Sequence, residues 1–168
     1  MDDHHESTAV KLPQNIQALV GEIGELQVLL RLSILAHQTD WEVFHNLGEA
    51  GYDVLLLNSI TANRIRIEVK TRQKLFTTGK NRHLVHFFLT DGEYQACDFL
   101  VAYFLDNNEF YIVPKSELSE AKSRGIVRWR FTLRLNRKDL QSANQKKFLD
   151  KWELLHSDFA ENESVILV

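Results

Sequence analysis

The segment from Gly51 to Thr71 constrains the fold more than any other. Two apolar runs, residues 52–58 and 64–71, flank a turn-like segment with an asparagine at each end, Asn58 and Asn63. Alternation from Arg64 to Lys70 is strict, which is the period of a half-buried strand. Two such runs around a short polar segment predict an antiparallel hairpin. Pairing Asn58 with Asn63 sets its register, and that register places Asp53 directly opposite Glu68. Directly opposed side chains have Cβ atoms about 4.5–5.5 Å apart. Two carboxylates that close repel each other unless a proton or a cation lies between them. A divalent cation resolves the conflict, and hard oxygen ligands suit magnesium. Lys70, two residues past Glu68, projects from the same face. Two acids around a metal with an ammonium alongside have the chemistry to cut a phosphodiester.

The alternation predicts Tyr52, Val54, Leu56, Ile65, Ile67 and Val69 on a core-facing side. Asp53, Leu55, Leu57, Arg64, Arg66, Glu68 and Lys70 share the other side. An acid, any residue, then lysine is not selective by itself, since Glu120-Ala121-Lys122 repeats it in a polar stretch. The hairpin register separates the two occurrences.

Upstream, Pro13 opens a predicted helix over residues 14–37. Ile16, Leu19, Val20, Ile23, Leu26, Leu30 and Ile34 form an apolar stripe at helical spacing, and beyond Glu25 the helix is apolar nearly all round, with Leu29, Leu32 and Leu35 on other faces, which predicts burial on several sides. Glu25 shares a face with Leu29 and Leu32 and should point inward, where a carboxylate needs a partner. Either a structural salt bridge or a third acid near the metal satisfies it, and Glu22, after Gly21, is the alternative for that role. Residues 41–47 predict a first strand. Residues 73–82 predict a mobile polar loop, and 84–89 a strand. A short helix near 91–96 and a hairpin over 98–105 and 109–113 follow. Short and long helices are predicted over 116–123 and 145–159, the second with Phe148, Trp152 and Leu155 as its stripe.

Net charge is −3, with an uneven distribution. Residues 1–60 hold two basic and nine acidic side chains, 61–138 fifteen and eight, and 139–168 three and six. The basic middle contains the candidate site. From Lys122 to Lys138 seven cations follow one another with no acid between them, and Trp129 and Phe131 are interleaved. Clustered cations are the footprint of a phosphate-binding surface, although a solvated strand face with two core aromatics gives the same pattern. Arg66, Arg72, Gln73 and Lys74 beside the site, and Arg128, Arg130 and Arg134 beyond it, are the candidate nucleic-acid contacts.

One cysteine, Cys97, excludes an internal disulfide and suits a reducing compartment. The opening residues are acidic and polar, neither a secretory signal nor a basic arm, and 1–12 predict a loose tail. No apolar run approaches membrane-span length. A single domain over 1–168 in the cytoplasm is the expectation.

Gly24-Glu25-Leu26, then Gly51-Tyr52-Asp53-Val54, then Arg66-Ile67-Glu68-Val69-Lys70-Thr71 resemble the PD-(D/E)xK nuclease superfamily, in particular its small members similar to Holliday-junction resolvases and homing endonucleases. Residues 94–103 and 110–114 continue the resemblance. The proline that names the motif is absent, with Tyr52 in its place, as in many members. The resemblance implies a restriction-endonuclease-like αβββαβ core, an α/β fold with a mixed central sheet flanked by helices. It further implies a magnesium-dependent endonuclease, with manganese as a substitute. Asp53, Glu68 and the Val69 carbonyl would be metal ligands, and Glu25, Asp53, Glu68 and Lys70 catalytic groups. The implied partner is double-stranded or branched DNA, and two sites for two strands imply a homodimer or larger homo-oligomer. A ribonuclease, or a catalytically silent binding protein of the same fold, remains an alternative.

Overall fold

The computed structural model of the chain describes residues 12–48, 51–73, 83–135 and 143–161. The first helix, α1 (Gln14–Ala36), starts after Pro13, whose carbonyl accepts from the amides of Ile16 and Gln17 at 3.0 Å each. Proline has no amide hydrogen to leave unpaired at a helix entry. Three strands follow: β1 (Trp41–His45), β2 (Val54–Asn58) and β3 (Arg64–Arg72). Val54 pairs with Ile67 and Leu57 with Arg64, so the predicted hairpin register holds. Asn58 anchors its turn: the side-chain Oδ1 accepts from the Ile60 and Thr61 amides at 3.1 and 2.8 Å.

Strand β4 (Leu84–Thr90) leaves this sheet, and α2 (Asp91–Ala96) returns the chain to β5 (Phe99–Phe104) and β6 (Glu109–Pro114). The main sheet has the order β1-β2-β3-β5-β6, with β3 and β5 parallel and the other pairs antiparallel. The αβββαβ order of the expected core is thus present, with β4 inserted. A second sheet of order β4-β8-β7 uses β7 (Ser119–Ser123) and β8 (Ile126–Arg134).

Two apolar clusters lie on the two faces of the main sheet. One holds Val28, Leu32 and Leu35 of α1 against Val54, Leu56, Ile67, Val69, Val101 and Ile112. The other holds Val85, Phe87, Leu89, Phe131 and Leu133 of the second sheet against Leu100, Ala102, Phe104, Tyr111 and Val113. β5 is therefore covered on both sides, as a central strand of a mixed sheet should be. Among the described residues no helix is long and apolar enough to cross a membrane.

Four expectations need correction. Helix α1 is not buried on several sides: Ile16, Leu19, Ile23, Leu26 and Leu30 of its stripe are 40–56% exposed, while Gly24, Val28, Leu32 and Leu35 on the opposite side are buried. Both sides are apolar, so periodicity could not choose between them. Residues 119–123 form strand β7 rather than a helix, because β8 supplies a pairing edge. The closing segment is broken into α3 (Ala143–Lys146), a 3-10 turn (Trp152–Leu154) and α4 (Asp158–Glu161). Its backbone instead seals the edge strand β6: the Ile112 amide donates to Phe148 O, and the Asp150 amide donates to Phe110 O. Phe148, Trp152 and Leu155 are nevertheless buried as expected. Tyr52 packs with the second cluster, not with Val54 and Leu56, because it precedes the regular pairing of β2.

Candidate active site

Where β2 begins, the hairpin opens into a cleft of about 500 Å³ lined by Gly48, Gly51, Tyr52, Asp53, Glu68, Thr90, Gly92 and Glu93. Gly51 shapes one wall. Its φ is +70°, and an added Cβ would lie 3.0 Å from Ala96 Cβ of α2, so glycine is the residue that fits this bend.

Asp53 is held on three sides. Its amide donates to Ile67 O at 2.9 Å and its carbonyl accepts from Asn46 N at 2.8 Å. Its Oδ2 accepts from the Val69 amide at 2.7 Å. In an antiparallel ladder a residue's N–H and C=O point to the same side. The Val69 carbonyl therefore faces the Asp53 side too, beyond the point where β2 pairing begins.

Glu68 is 4% exposed. Lys70 Nζ donates to Glu68 Oε1 at 2.5 Å and to Glu93 Oε1 at 2.9 Å. Burial pushes the Glu68 carboxyl up to about 8, and the Asp53 charge adds to the rise while Lys70 opposes it. Burial also raises Asp53, against the Val69 amide and with the help of Glu25. Burial acts to lower Lys70, but attraction to Glu68 and Glu93 outweighs it and holds the ammonium above its ordinary range.

Glu93 is the participant that sequence reasoning missed. It closes a capping box on α2: Glu93 N donates to Thr90 Oγ1 at 3.2 Å, and Thr90 N donates to Glu93 Oε2 at 2.6 Å. One carboxylate oxygen caps the helix while the other holds Lys70. Although burial opposes it, the Thr90 amide and Lys70 keep this carboxyl below its ordinary range. The signal was present as Thr90-Asp91-Gly92-Glu93, the Thr-x-x-Glu spacing of a capping box.

Glu25 approaches from α1. Its Oε2 lies 3.3 Å from His45 Nε2, and its charge reaches Asp53. Glu22 is exposed. The close approach of α1 depends on Gly24, where a Cβ would lie 1.6 Å from Thr71 Oγ1. Cys97 is buried, and burial pushes its thiol up to about 11, so it is an inert packing residue.

The candidate nucleic-acid contacts divide. Arg66 is not available in the expected way: Nε and Nη2 donate to the two Asp98 carboxylate oxygens at 3.1 and 2.9 Å, tying β3 to the start of β5. Arg72 is half-buried and donates to Thr71 O at 2.9 Å. Gln73 follows β3, half-buried. Lys74 and most of the expected loop lie outside the described residues. Arg128, Arg130 and Arg134 alternate with buried Phe131 and Leu133 and share the outer face of β8. Arg128 pairs with Thr90, which lines the cleft, and Arg134 pairs with Leu84. At about 3.4 Å per residue, this row leads from the cleft for about 20 Å.

Among the described residues no cluster of three or more His, Cys, Asp or Glu side chains forms a ready metal cage. The donor chemistry still fits a divalent cation. The described bonds use Oδ2 of Asp53 and Oε1 of Glu68, and the second oxygen of each, with the Val69 carbonyl, makes an all-oxygen set of the kind magnesium takes. Burial is the main cause of the raised Asp53 and Glu68 carboxyls, with neighbouring carboxylates adding to it, and a bound cation would favour their charged forms.

No family model matches the sequence, and neither does any curated protein. Among solved structures, the fold is similar to that of the bacterial homing endonuclease I-Ssp6803I, with a TM-score of 0.54 and 19% identity over 86% of this chain and 95% of that one. The Holliday junction resolvase Hjc from Archaeoglobus fulgidus, an archaeal hyperthermophile, aligns over 66% of this chain and 82% of its own, with a TM-score of 0.47 and 13% identity. On the likeness to I-Ssp6803I, the fold of this chain is restriction-endonuclease-like, with a mixed five-stranded sheet.

Proposed function

We propose that this cleft hydrolyses phosphodiester bonds in DNA with a divalent metal, magnesium or manganese, as an endonuclease. The observation that carries the proposal is the meeting of half-buried Asp53 and buried Glu68 in one cleft, with Lys70 bonded to Glu68, on a fold similar to that of a homing endonuclease. Asp53, Glu68 and the Val69 carbonyl would hold the ion, with Glu25 as a further acid. Bound there, the ion would supply a Lewis acid for the phosphate and acidify a water.

The remaining chemistry belongs to the chain. Lys70 presents an ammonium toward the phosphate, where it offsets charge that grows in the transition state. Glu93, fixed by its capping box, keeps Lys70 Nζ pointed into the cleft. The Val69 amide orients the Asp53 carboxylate through a single bond. Arg128, Arg130 and Arg134 offer a row of cations that follows a phosphate backbone away from the cleft, and Arg72 and Gln73 lie at the end of β3, two and three residues past Lys70.

The test is a panel of supercoiled plasmid, linear duplex, branched DNA, single-stranded DNA and RNA, each with magnesium and with chelator. Metal-dependent cleavage of at least one DNA is expected. Cleavage of RNA alone would reassign the substrate, and binding with no cleavage of any member would make the protein a catalytically silent binder.

A further inference from the structure

We infer that the outer face of the second sheet binds unpaired nucleotides, so that the cleft acts on DNA with a single-stranded segment beside the bond it cuts. The inference rests on the nuclease reading for what happens in the cleft, whereas the face itself is tested by binding alone.

The alternation of β4 divides its side chains. Val85, Phe87 and Leu89 are buried in the second apolar cluster, so His86 and Phe88 turn the other way. Both are half-buried, and Phe88 belongs to neither apolar cluster. Their rings lie 5.8 Å apart, tilted by 48°. His86 Nδ1 lies 2.9 Å from Thr132 Oγ1 of β8, which fixes the imidazole. Burial, helped by the charge of Arg130, holds His86 below its ordinary range and favours the neutral ring.

Cations flank these two rings. Directly paired residues share a face of the sheet. Phe88 pairs with Arg130, Thr90 with Arg128 and Leu84 with Arg134. On the far flank Ser119 and Ala121 of β7 pair with Arg130 and Arg128. Glu120 and Lys122 pair with Trp129 and Val127, which places them on the other face, bonded to each other at 2.9 Å. No acid of β4, β7 or β8 therefore shares the outer face. Arg130 Nε is buried with no acceptor among the described residues, so the protein itself does not engage that donor.

This combination selects unpaired nucleotides. Cations alone suit any phosphate backbone. Aromatic faces add nothing with a duplex, whose bases follow one another at about 3.4 Å and cover each other. A strand with splayed bases offers each of them to a ring, and aromatic side chains among cations hold single strands in this way. Rings 5.8 Å apart are too widely spaced for two bases still stacked on each other, and suit bases drawn apart. Along β4, Phe88 lies about 7 Å and His86 about 14 Å from Thr90, which lines the cleft. A strand leaving the cleft along the arginine row meets them in turn.

The experiment is fluorescence anisotropy of the full chain with labelled oligonucleotides of one sequence, in calcium instead of magnesium. The probes are a blunt DNA duplex, the same duplex with a single-stranded extension, and the single strand as DNA and as RNA. The parent should bind the extended duplex about tenfold more tightly than the blunt one. Phe88→Ala should remove most of that preference and leave affinity for the blunt duplex unchanged. Phe88→Leu keeps the apolar bulk without the flat face and should behave as Phe88→Ala does, whereas Phe88→Tyr should keep the preference. Circular dichroism checks that each variant is folded. Equal affinity of the parent for blunt and extended DNA overturns the inference. So does a preference that survives in Phe88→Ala or Phe88→Leu, or single-stranded RNA bound more tightly than DNA. Cleavage of blunt duplex in magnesium beside any of those results would leave the nuclease reading standing. A Phe88-dependent preference for the extension, with no cleavage of any DNA, would sink the nuclease reading and keep the binding face.

Discussion

Gly21 and Gly24 lie on one helix in opposite surroundings, so the same substitution should act on them with opposite sign. A Cβ on Gly21 would meet nothing within 4 Å, whereas a Cβ on Gly24 would lie 1.6 Å from Thr71 Oγ1 and 2.8 Å from Thr71 Cβ. Alanine is favoured over glycine in a helix by about 0.8–1.0 kcal/mol. At Gly21 that gain acts alone, so Gly21→Ala should stabilise by about 1 kcal/mol. At Gly24 the gain meets overpacking, which costs about 1–3 kcal/mol in a filled core. The overlap here is deep and falls on a buried strand residue, so the upper end applies and the net loss is about 2 kcal/mol. The two variants should then differ by about 3 kcal/mol, or about 6–12 °C in Tm for a chain of this length. Urea unfolding at constant slope is the assay. Thr71→Ala should recover part of the Gly24→Ala loss in the double variant, since the two sites touch. If Gly24→Ala stabilises as much as Gly21→Ala does, α1 does not approach β3 so closely, and the placement of Glu25 beside Asp53 fails with it.

Glu68 gives a pH signature. Its folded carboxyl titrates at about 8 against an ordinary 4.5, so the stability it contributes is complete below about 4.5 and is lost as pH rises through about 8. Asp53, Lys70 and Glu93 face it. Metal-free protein should melt several degrees lower near pH 9 than near pH 5.5, calcium should restore it chiefly at the higher pH, and Glu68→Gln should flatten the dependence. An equal pH dependence in Glu68→Gln would place the titrating group elsewhere. Lys70→Ala should lower turnover by orders of magnitude while leaving DNA affinity in calcium nearly intact, and Lys70→Arg should rescue poorly because a planar fork replaces a compact charge. Replacing Arg128, Arg130 and Arg134 with alanine should flatten the salt dependence of DNA binding, since each neutralised phosphate releases counterions. An unchanged slope would show that the β8 row does not touch the backbone.

The hairpin was legible because its alternation, its turn and its two facing acids all required one register. The same holds for β5 and β6, whose apolar runs admit no other use. The direction of α1 was not legible, because both its sides are apolar and only one meets the sheet. The closing segment carried the spacing of a helix through Phe148, Trp152 and Leu155, yet the unpaired edge of β6 captured its backbone. That competition is set by tertiary position and leaves no local trace. Arg66 and Glu93 mark the same divide at the site. The partner of Arg66, Asp98, lies 32 residues away, which no local pattern reveals, whereas the Glu93 capping box was written in four consecutive residues.

The central claim is that Asp53 and Glu68 hold the metal that makes this cleft a nuclease. The most direct measurement is magnesium-dependent cleavage of DNA by the parent and by Asp53→Asn, with folding checked by circular dichroism and thermal melting. The parent should cut, chelator should stop it, and Asp53→Asn should lose at least about a hundredfold in rate. Its metal-free melting temperature should hold or rise, because one of two repelling carboxylates is gone. Cleavage by Asp53→Asn at the parent rate, with magnesium still required, would remove the hairpin acids from the mechanism.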